Sequence, residues 1–298
     1  MILDWLGALP GAAAQGMIWG VMAIGVYMTY KILDIADLTV DGSICTGGAV
    51  CAVLITNGVN IYAAMAAALV AGLLAGLVTG LLHTAMGIPP ILSGILTQLI
   101  LWSANLKIMG KSNIALPIRS YDLLLAQIFT WKSIGVLVVI VAILLALLYW
   151  FFGTELGSSL RATGNNLNMS EAQGINTDFT KVLGLMLSNG VVAFSGALLA
   201  QYQGFADINM GRGAIVIGLA AVFIGDAVIS RFGRHFLLKL FGVIAGGVIY
   251  YFVYQTVIFL GLDADLLKML SAVVVAVFLA VPYWKQKYGK TKGSRRHA

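Results

Sequence analysis

The sequence predicts an all-α, polytopic membrane helix bundle, and three observations predict it. Of 298 residues, 60% are hydrophobic and only 10% are charged, against about 25% charged in an ordinary soluble chain. Mean hydropathy is +0.95. The apolar residues also gather into long windows, each close to the roughly 20 residues that one bilayer span requires. About nine such windows fit, within a range of eight to ten. Residues 1–284 therefore read as a single transmembrane domain and 285–298 as a tail.

The elements follow in order. The first ten residues lack a basic n-region and read as a short tail leading into a first span at 11–31. The second span, 39–57, is short and interrupted by Gly42, Gly47 and Gly48, so a broken second helix is expected. Further spans read at 60–84, 90–109, 133–153, 180–202, 213–230, 236–261 and 264–283, separated by punctuation such as Asn57-Gly58 and Pro89-Pro90. The segments 107–132 and 154–179 are long and polar enough to be true loops. Neither has the length of a catalytic domain. Gly72, Gly76 and Gly80 repeat every four positions, as do Gly242 and Gly246, which lets a neighbouring helix backbone come close.

Charge sets the orientation. The formal net charge is +6, and six of the 18 Lys and Arg follow Pro282. A basic tail of this kind fits a cytoplasmic end beside anionic lipid. No nucleic-acid-binding pattern accompanies it. Counting back from that tail puts 154–179 in the cytoplasm, and 107–132 and 203–212 outside.

Enzyme chemistry is absent from the pattern. There is no HExxH, GxSxG or CxxC. Gly110-Lys111-Ser112 fails as a phosphate loop because Asn105 stands where glycine is needed. No cofactor, metal or nucleotide site is expected. Cys45 and Cys51 read as small packing residues, and His83, His235 and His297 as interfacial. Asp226 is the acid well inside an apolar run, with water or Arg231 as its candidate partner; the other acids read as loop or helix-end residues. That scarcity of buried acids argues against ion-driven transport.

Three segments carry candidate function. In 34–51, Asp41, Gly42 and Ser43 mark a helix beginning near Ser43, read either as an ordinary loop-to-helix junction or as a break lining a polar path. Gln98, Asn105 and Asn189 are polar groups within apolar spans, and either line that path or bridge helices. In the loop 154–179, Arg161, Gly164, Asn165 and Asn166 precede a short helix at 167–174. Ser170 or Asn168 is its candidate cap, Glu171 complements its positive end, and Gly174 is its stop. Such a helix is a docking device; the alternative is a solvated inter-helix loop. The outer loop 201–212 offers Gln201, Gln203, Asp207 and Arg212 for docking or gating, or is a solvated turn.

The phrase Leu160-Arg161-Ala162-Thr163-Gly164-Asn165-Asn166, followed by Glu171-Ala172-Gln173-Gly174-Ile175-Asn176, resembles the coupling loop of ABC importer permeases of the branched-chain amino acid and ribose type. Leu38-Thr39-Val40-Asp41-Gly42-Ser43, Gly94-Ile95-Leu96-Thr97, Asn105-Leu106-Lys107-Ile108-Met109-Gly110 and the run Ala200 to Asp207 match as well. The resemblance is nearest to a subgroup associated with aromatic amino acids. It implies a multi-pass protein of the bacterial plasma membrane that hydrolyses no ATP itself. It implies as partners two cytoplasmic ATPase subunits, an extracytoplasmic substrate-binding protein and a second copy of the chain in a homodimer. It gives Arg161, Gly164, Asn165, Ser170, Glu171, Ala172 and Gly174 a part in ATPase coupling. The alternative is a secondary transporter or channel that works without an ATPase.

Overall fold

The computed structural model describes residues 2–117, 121, 123–229 and 235–259, and the isolated positions 269, 272, 273, 276 and 280. Helix α1 (Ile2–Tyr27) runs into a π-turn (Met28–Ile32). Helices α2 (Val40–Thr56), α3 (Ile61–Thr84), α4 (Pro90–Met109) and α5 (Thr130–Phe152) follow. Two short helices, α6 (Glu155–Asn165) and α7 (Leu167–Ala172), lead to α8 (Thr177–Gln203), α9 (Ala214–Ile229) and α10 (Phe236–Phe259). Eight of the nine windows thus appear as helices. The ninth, 264–283, lies outside the described residues apart from isolated positions, as do Arg119, Arg231 and the basic tail.

Among the described residues, six helices are long and apolar enough to cross a membrane, while α2 and α9 are shorter. The chain is a multi-pass membrane protein. In the most apolar stretches of α1 and α8, 72% of residues are buried, against 22% in α4 and α5. So α1 and α8 form the centre, and α4 and α5 present broad apolar faces outward.

The glycine repeats do what their spacing predicts. A methyl group at Gly76 would strike the carbonyl of Leu185, and one at Gly72 that of Asn189, so α3 lies backbone to backbone against α8. Gly242 and Gly246 bring α10 equally close to α9 at Gly225 and Ala221. Small residues at such crossings allow close van der Waals packing where no hydrophobic effect separates helix from lipid.

Two expectations are corrected and one contact is added. The stretch read as a tail is helical from Ile2, and α1 carries Pro10 within it. The second helix is unbroken from Val40 to Thr56, its glycines serving close contacts with α4 and α8. Helical structure lapses ahead of it, between Ile32 and Val40. Finally, the loops 107–132 and 203–212 are tied together. β1 (Asn113–Ala115) pairs antiparallel with β2 (Phe205–Asp207), with Asn113 opposite Asp207. Helix α8 stops at Gly204, whose φ of +78° suits a residue without a side chain.

Candidate functional site

Helix α2 begins deep in the protein. Ser43, in its first turns, donates from Oγ to Oδ1 of Asn189 at 2.6 Å. Asn189 sits near the middle of α8, about 20 Å from either end at 1.5 Å per residue. The start of α2 therefore lies level with the centre of a full-length span. Asn189 Nδ2 also donates to Oδ2 of Asp37 at 2.7 Å and to the Leu185 carbonyl at 3.0 Å. The Thr39 N–H donates to Oδ1 of Asp37 at 2.8 Å, and the hydroxyls of Thr39 and Thr79 are 2.8 Å apart. Asp37, Thr39, Ser43, Thr79 and Asn189 are all buried. Each has a partner, as a polar group cut off from water requires.

The N-terminus of α9 reaches the same place. Asp41, on the first turn of α2, accepts from the backbone N–H of Gly213 and of Ile215, both at 2.9 Å. A helix leaves its first N–H groups without internal partners and carries positive potential there. Asp37 meets this need before α2, and Asp41 meets it for α9. Two short helices thus start beside one another inside the bundle, each with its own carboxylate. Sequence reasoning missed Asp37, which it grouped with the loop acids. The scarcity of buried acids was overstated for that reason. Asp226, the acid singled out instead, pairs with Lys31 at 3.1 Å and is partly exposed.

Beside this junction lies a cavity of about 230 Å³. Asp41 and Gly42 of α2, Gln98, Trp102 and Asn105 of α4, and Arg212 are among its lining. The structure thus gathers four of the sequence-derived path candidates, Asp41, Gly42, Gln98 and Asn105, at one cavity. It adds Arg212, which the sequence assigned to an outer loop. Ser43 is instead held by Asn189, and Asn189 by Asp37, in the buried network described above. Ser43 is also not the helix start, because α2 begins at Val40 with Thr39 before it. Asn105 is fully buried, yet neither its Nδ2 nor its Oδ1 has a hydrogen-bond partner. Leaving a buried polar group unpaired costs about 1–3 kcal/mol.

At the end of the bundle carrying α7, the short helix forms nearly where the sequence predicts, over Leu167–Ala172. Its cap is Asn166, whose side chain accepts from the Met169 N–H at 3.0 Å, rather than Asn168 or Ser170. Ser170 is buried and donates to the Asn166 carbonyl. Gly174 has φ +79°, as its assignment as the stop requires. Glu171 accepts from the Thr177 hydroxyl at 3.0 Å. Glu171, Ala172 and Gly174 are exposed, and so are Leu167 and Met169. The last two were missed. Their signal was apolar side chains on a short helix in a polar loop.

Arg161 donates to the carbonyl of Phe152 at 2.6 Å and lies over the ring of Phe236, bracing α5 against α10. Asn165, at the end of α6, is exposed. Gly164 packs against the Ile32 carbonyl, leaving no room for a side chain, and Leu33 Cα lies 2.7 Å from where its Cβ would be. Helix α6 therefore bears directly on the chain that leads through Asp37 into α2.

At the opposite end, α8 continues through Gln203, so Gln201 is not in a loop. It is fully buried and donates to the Cys51 sulfur at 3.5 Å, which takes it away from any docking surface. Gln203 is partly exposed at the helix end. Asp207, in β2, accepts from the Asn209 N–H at 2.7 Å and from Asn113 Nδ2 at 3.4 Å.

Comparison with known proteins agrees with this architecture. Residues 9–282 match the family model described as branched-chain amino acid transport system, permease component. A tyrosine transport system permease protein of Clostridioides difficile (strain R20291) is 42% identical over 277 residues, covering 92% of this chain and 91% of the relative. Uncharacterized protein RP368 of Rickettsia prowazekii (strain Madrid E) is 31% identical over 277 residues, covering 92% and 98%. The D-allose transport system permease protein AlsC of Escherichia coli (strain K12) is 26% identical, covering 79% and 71%. Among solved structures, PsaBC from Streptococcus pneumoniae in complex with Fab shares the overall fold, with a TM-score of 0.55 at 17% identity over 98% of this chain and 100% of that one. The chain belongs to the branched-chain amino acid transport system permease family, a multi-pass permease of the ABC type.

Proposed function

We propose that this chain forms the translocation path of an ABC importer for a small solute, an amino acid, with an aromatic one favoured by its likeness to the tyrosine system. One observation carries the reading. The starts of α2 and α9 meet beside a cavity that Asp41, Gln98, Asn105 and Arg212 help to line, and Gly164 packs the helix next to α7 against the chain that leads into α2. Force applied at α7 thereby has a short rigid route to the cavity.

In this reading α7 faces the cytoplasm and inserts Leu167, Met169, Glu171 and Ala172 into an ATPase subunit, while Gly174 sets the turn. Arg161, Asn165 and Ser170 support it by holding α6 and α7 in place. Asp41, Gly42, Gln98 and Asn105 line the path, and Ser43 and Asn189 hold its wall. The ladder end faces outward, and Gln203 and Asp207 meet the binding protein there. The outward apolar face of α4, with Leu99 and Trp102 exposed beside the cavity, receives a second copy, which closes the path by two-fold symmetry.

The experiment is reconstitution in liposomes with an ABC ATPase and a substrate-binding protein from the same genome. Binding-protein-stimulated ATP hydrolysis and uptake of L-tyrosine or a related amino acid are expected. Uptake by the permease alone, driven by an ion gradient, would establish the secondary-transporter reading instead.

A further inference from the structure

We propose that the cavity beside Asn105 is a binding station in the permease itself, built for the zwitterionic head group of an amino acid and not for a neutral solute such as a sugar. The inference rests on the importer reading above and adds to it a site and a ligand class.

Four observations point the same way. Asn105 is fully buried with both ends of its carboxamide unpartnered. A donor and an acceptor left unpaired on a residue that lines a cavity are what a ligand bearing both an acceptor and a donor satisfies. Gln98 stands on the same wall and brings a second carboxamide. The cavity also holds opposite charges, Asp41 and Arg212, and neither is in an ion pair among the described residues. Asp41 has one N–H on each oxygen, so it stays oriented while keeping lone pairs free for a further donor. Arg212 follows directly on Gly211, which packs against the Asp41 carbonyl, so its backbone is anchored to α2 while its side chain remains exposed. Finally, Trp102 and Leu99 give the cavity an apolar side. At about 230 Å³ the space is of the size of one amino acid.

A carboxylate then meets Arg212 and the N–H of a carboxamide, an ammonium meets Asp41 and a carboxamide oxygen, and the side chain lies against Trp102. A sugar supplies hydroxyls but neither charge, so it would give Asp41 and Arg212 no counter-charge.

The test uses the purified permease–ATPase complex in nanodiscs without binding protein, and radiolabelled L-tyrosine as the probe. Saturable binding is expected, weakened by roughly ten- to hundredfold in Asn105→Leu, the range for losing a hydrogen bond to a charged group. Gln98→Ala, at a less buried position, tests the site should Asn105→Leu fail to assemble, and Trp102→Ala, on the face assigned to the second copy, is read only where the dimer persists. Each is expected to weaken binding severalfold. Tyramine, which lacks the carboxylate, and 4-hydroxyphenyllactate, which lacks the ammonium, should compete poorly, and D-allose not at all. Equal competition by tyramine and L-tyrosine, or unchanged binding in all three variants, overturns the proposal. So does the absence of saturable binding in a complex whose ATPase still responds to binding protein, a result that leaves the importer reading standing. A wild-type complex whose hydrolysis responds to no binding protein is a separate result, and refutes the importer reading itself.

Discussion

The backbone N–H of Ile215 donates to Asp41 at 2.9 Å, so a carboxylate on α2 supplies the cap of α9. The two helices are far apart in sequence and yet share one anion at their starts. Any movement that separates α2 from α9 must leave the Gly213 and Ile215 N–H groups without this partner, and any movement that keeps the bonds must carry both helices together.

From this follows the first expectation. Asp41→Ala removes two charge-assisted bonds and should destabilise the packing of α9 by about 1–3 kcal/mol. Asp41→Asn, which keeps an acceptor, should lose less. Thermal unfolding in detergent ranks the variants. Equal midpoints for wild type and Asp41→Ala would mean that the bonds contribute nothing to the fold.

Much of this was legible in the sequence, and the reason is physical. Apolar windows of bilayer length have one stable outcome in lipid, a helix with its backbone satisfied internally. That is why the six spans from 60–84 to 236–261 match α3, α4, α5, α8, α9 and α10 with small boundary shifts. The stop at Gly174 was legible because a left-handed turn favours glycine. What could not be read was depth and partnership. Asp37 and Asp41 lie four residues apart in one short segment, but their tasks depend on Asn189 and on the start of α9, contacts set only by tertiary packing. Gln201 was misplaced because α8 ends at Gly204, past the point where apolar composition thins. The cap at Asn166 was missed because three neighbouring polar residues all had cap chemistry.

The second expectation concerns Gly164. A larger residue there collides with the Ile32 carbonyl and must push α6 away from the chain entering α2. Overpacking of this kind costs about 1–3 kcal/mol. Gly164→Val should leave ATP hydrolysis measurable while lowering solute uptake per ATP hydrolysed. Normal coupling in a properly assembled Gly164→Val complex would show that force does not travel by this contact.

The third concerns the turn after α7. Gly174 has φ +79° and open space around its Cβ position, so a substitution is opposed by backbone conformation alone. An L-residue pays about 1–2 kcal/mol in that region, a β-branched one most. Gly174→Val should therefore shift α7 and uncouple hydrolysis from transport, with Gly174→Asn much milder. If Gly174→Val transports normally with its ATPase bound, α7 is not the coupling helix.

The fourth tests the apolar contact. Met169 is 61% exposed and, with Leu167, gives α7 an exposed apolar patch, as expected of side chains that fill a partner's groove. Met169→Asp puts a charge at that contact and should weaken co-purification of the ATPase by at least tenfold, since burying an unpaired charge costs several kcal/mol. Met169→Leu should retain binding. Full recovery of the ATPase with Met169→Asp would place the docking surface elsewhere.

The last concerns Asp207 and the face that meets the binding protein. Charge reversal would be a poor test, because Oδ1 of Asp207 accepts from the Asn209 N–H at 2.7 Å and a lysine would lose the turn as well as the charge. Asp207→Asn keeps an acceptor at that position and removes only the charge. If Asp207 guides docking electrostatically, Asp207→Asn should raise the binding-protein concentration needed for half-maximal stimulation of hydrolysis. Screening acts over about 10 Å at 0.1 M salt and about 3 Å at 1 M. The gap between variant and wild type should therefore narrow as salt rises, until the two curves meet. A gap that persists at high salt would point to a local contact through the ladder, and no gap at any salt would leave Asp207 as a turn residue alone.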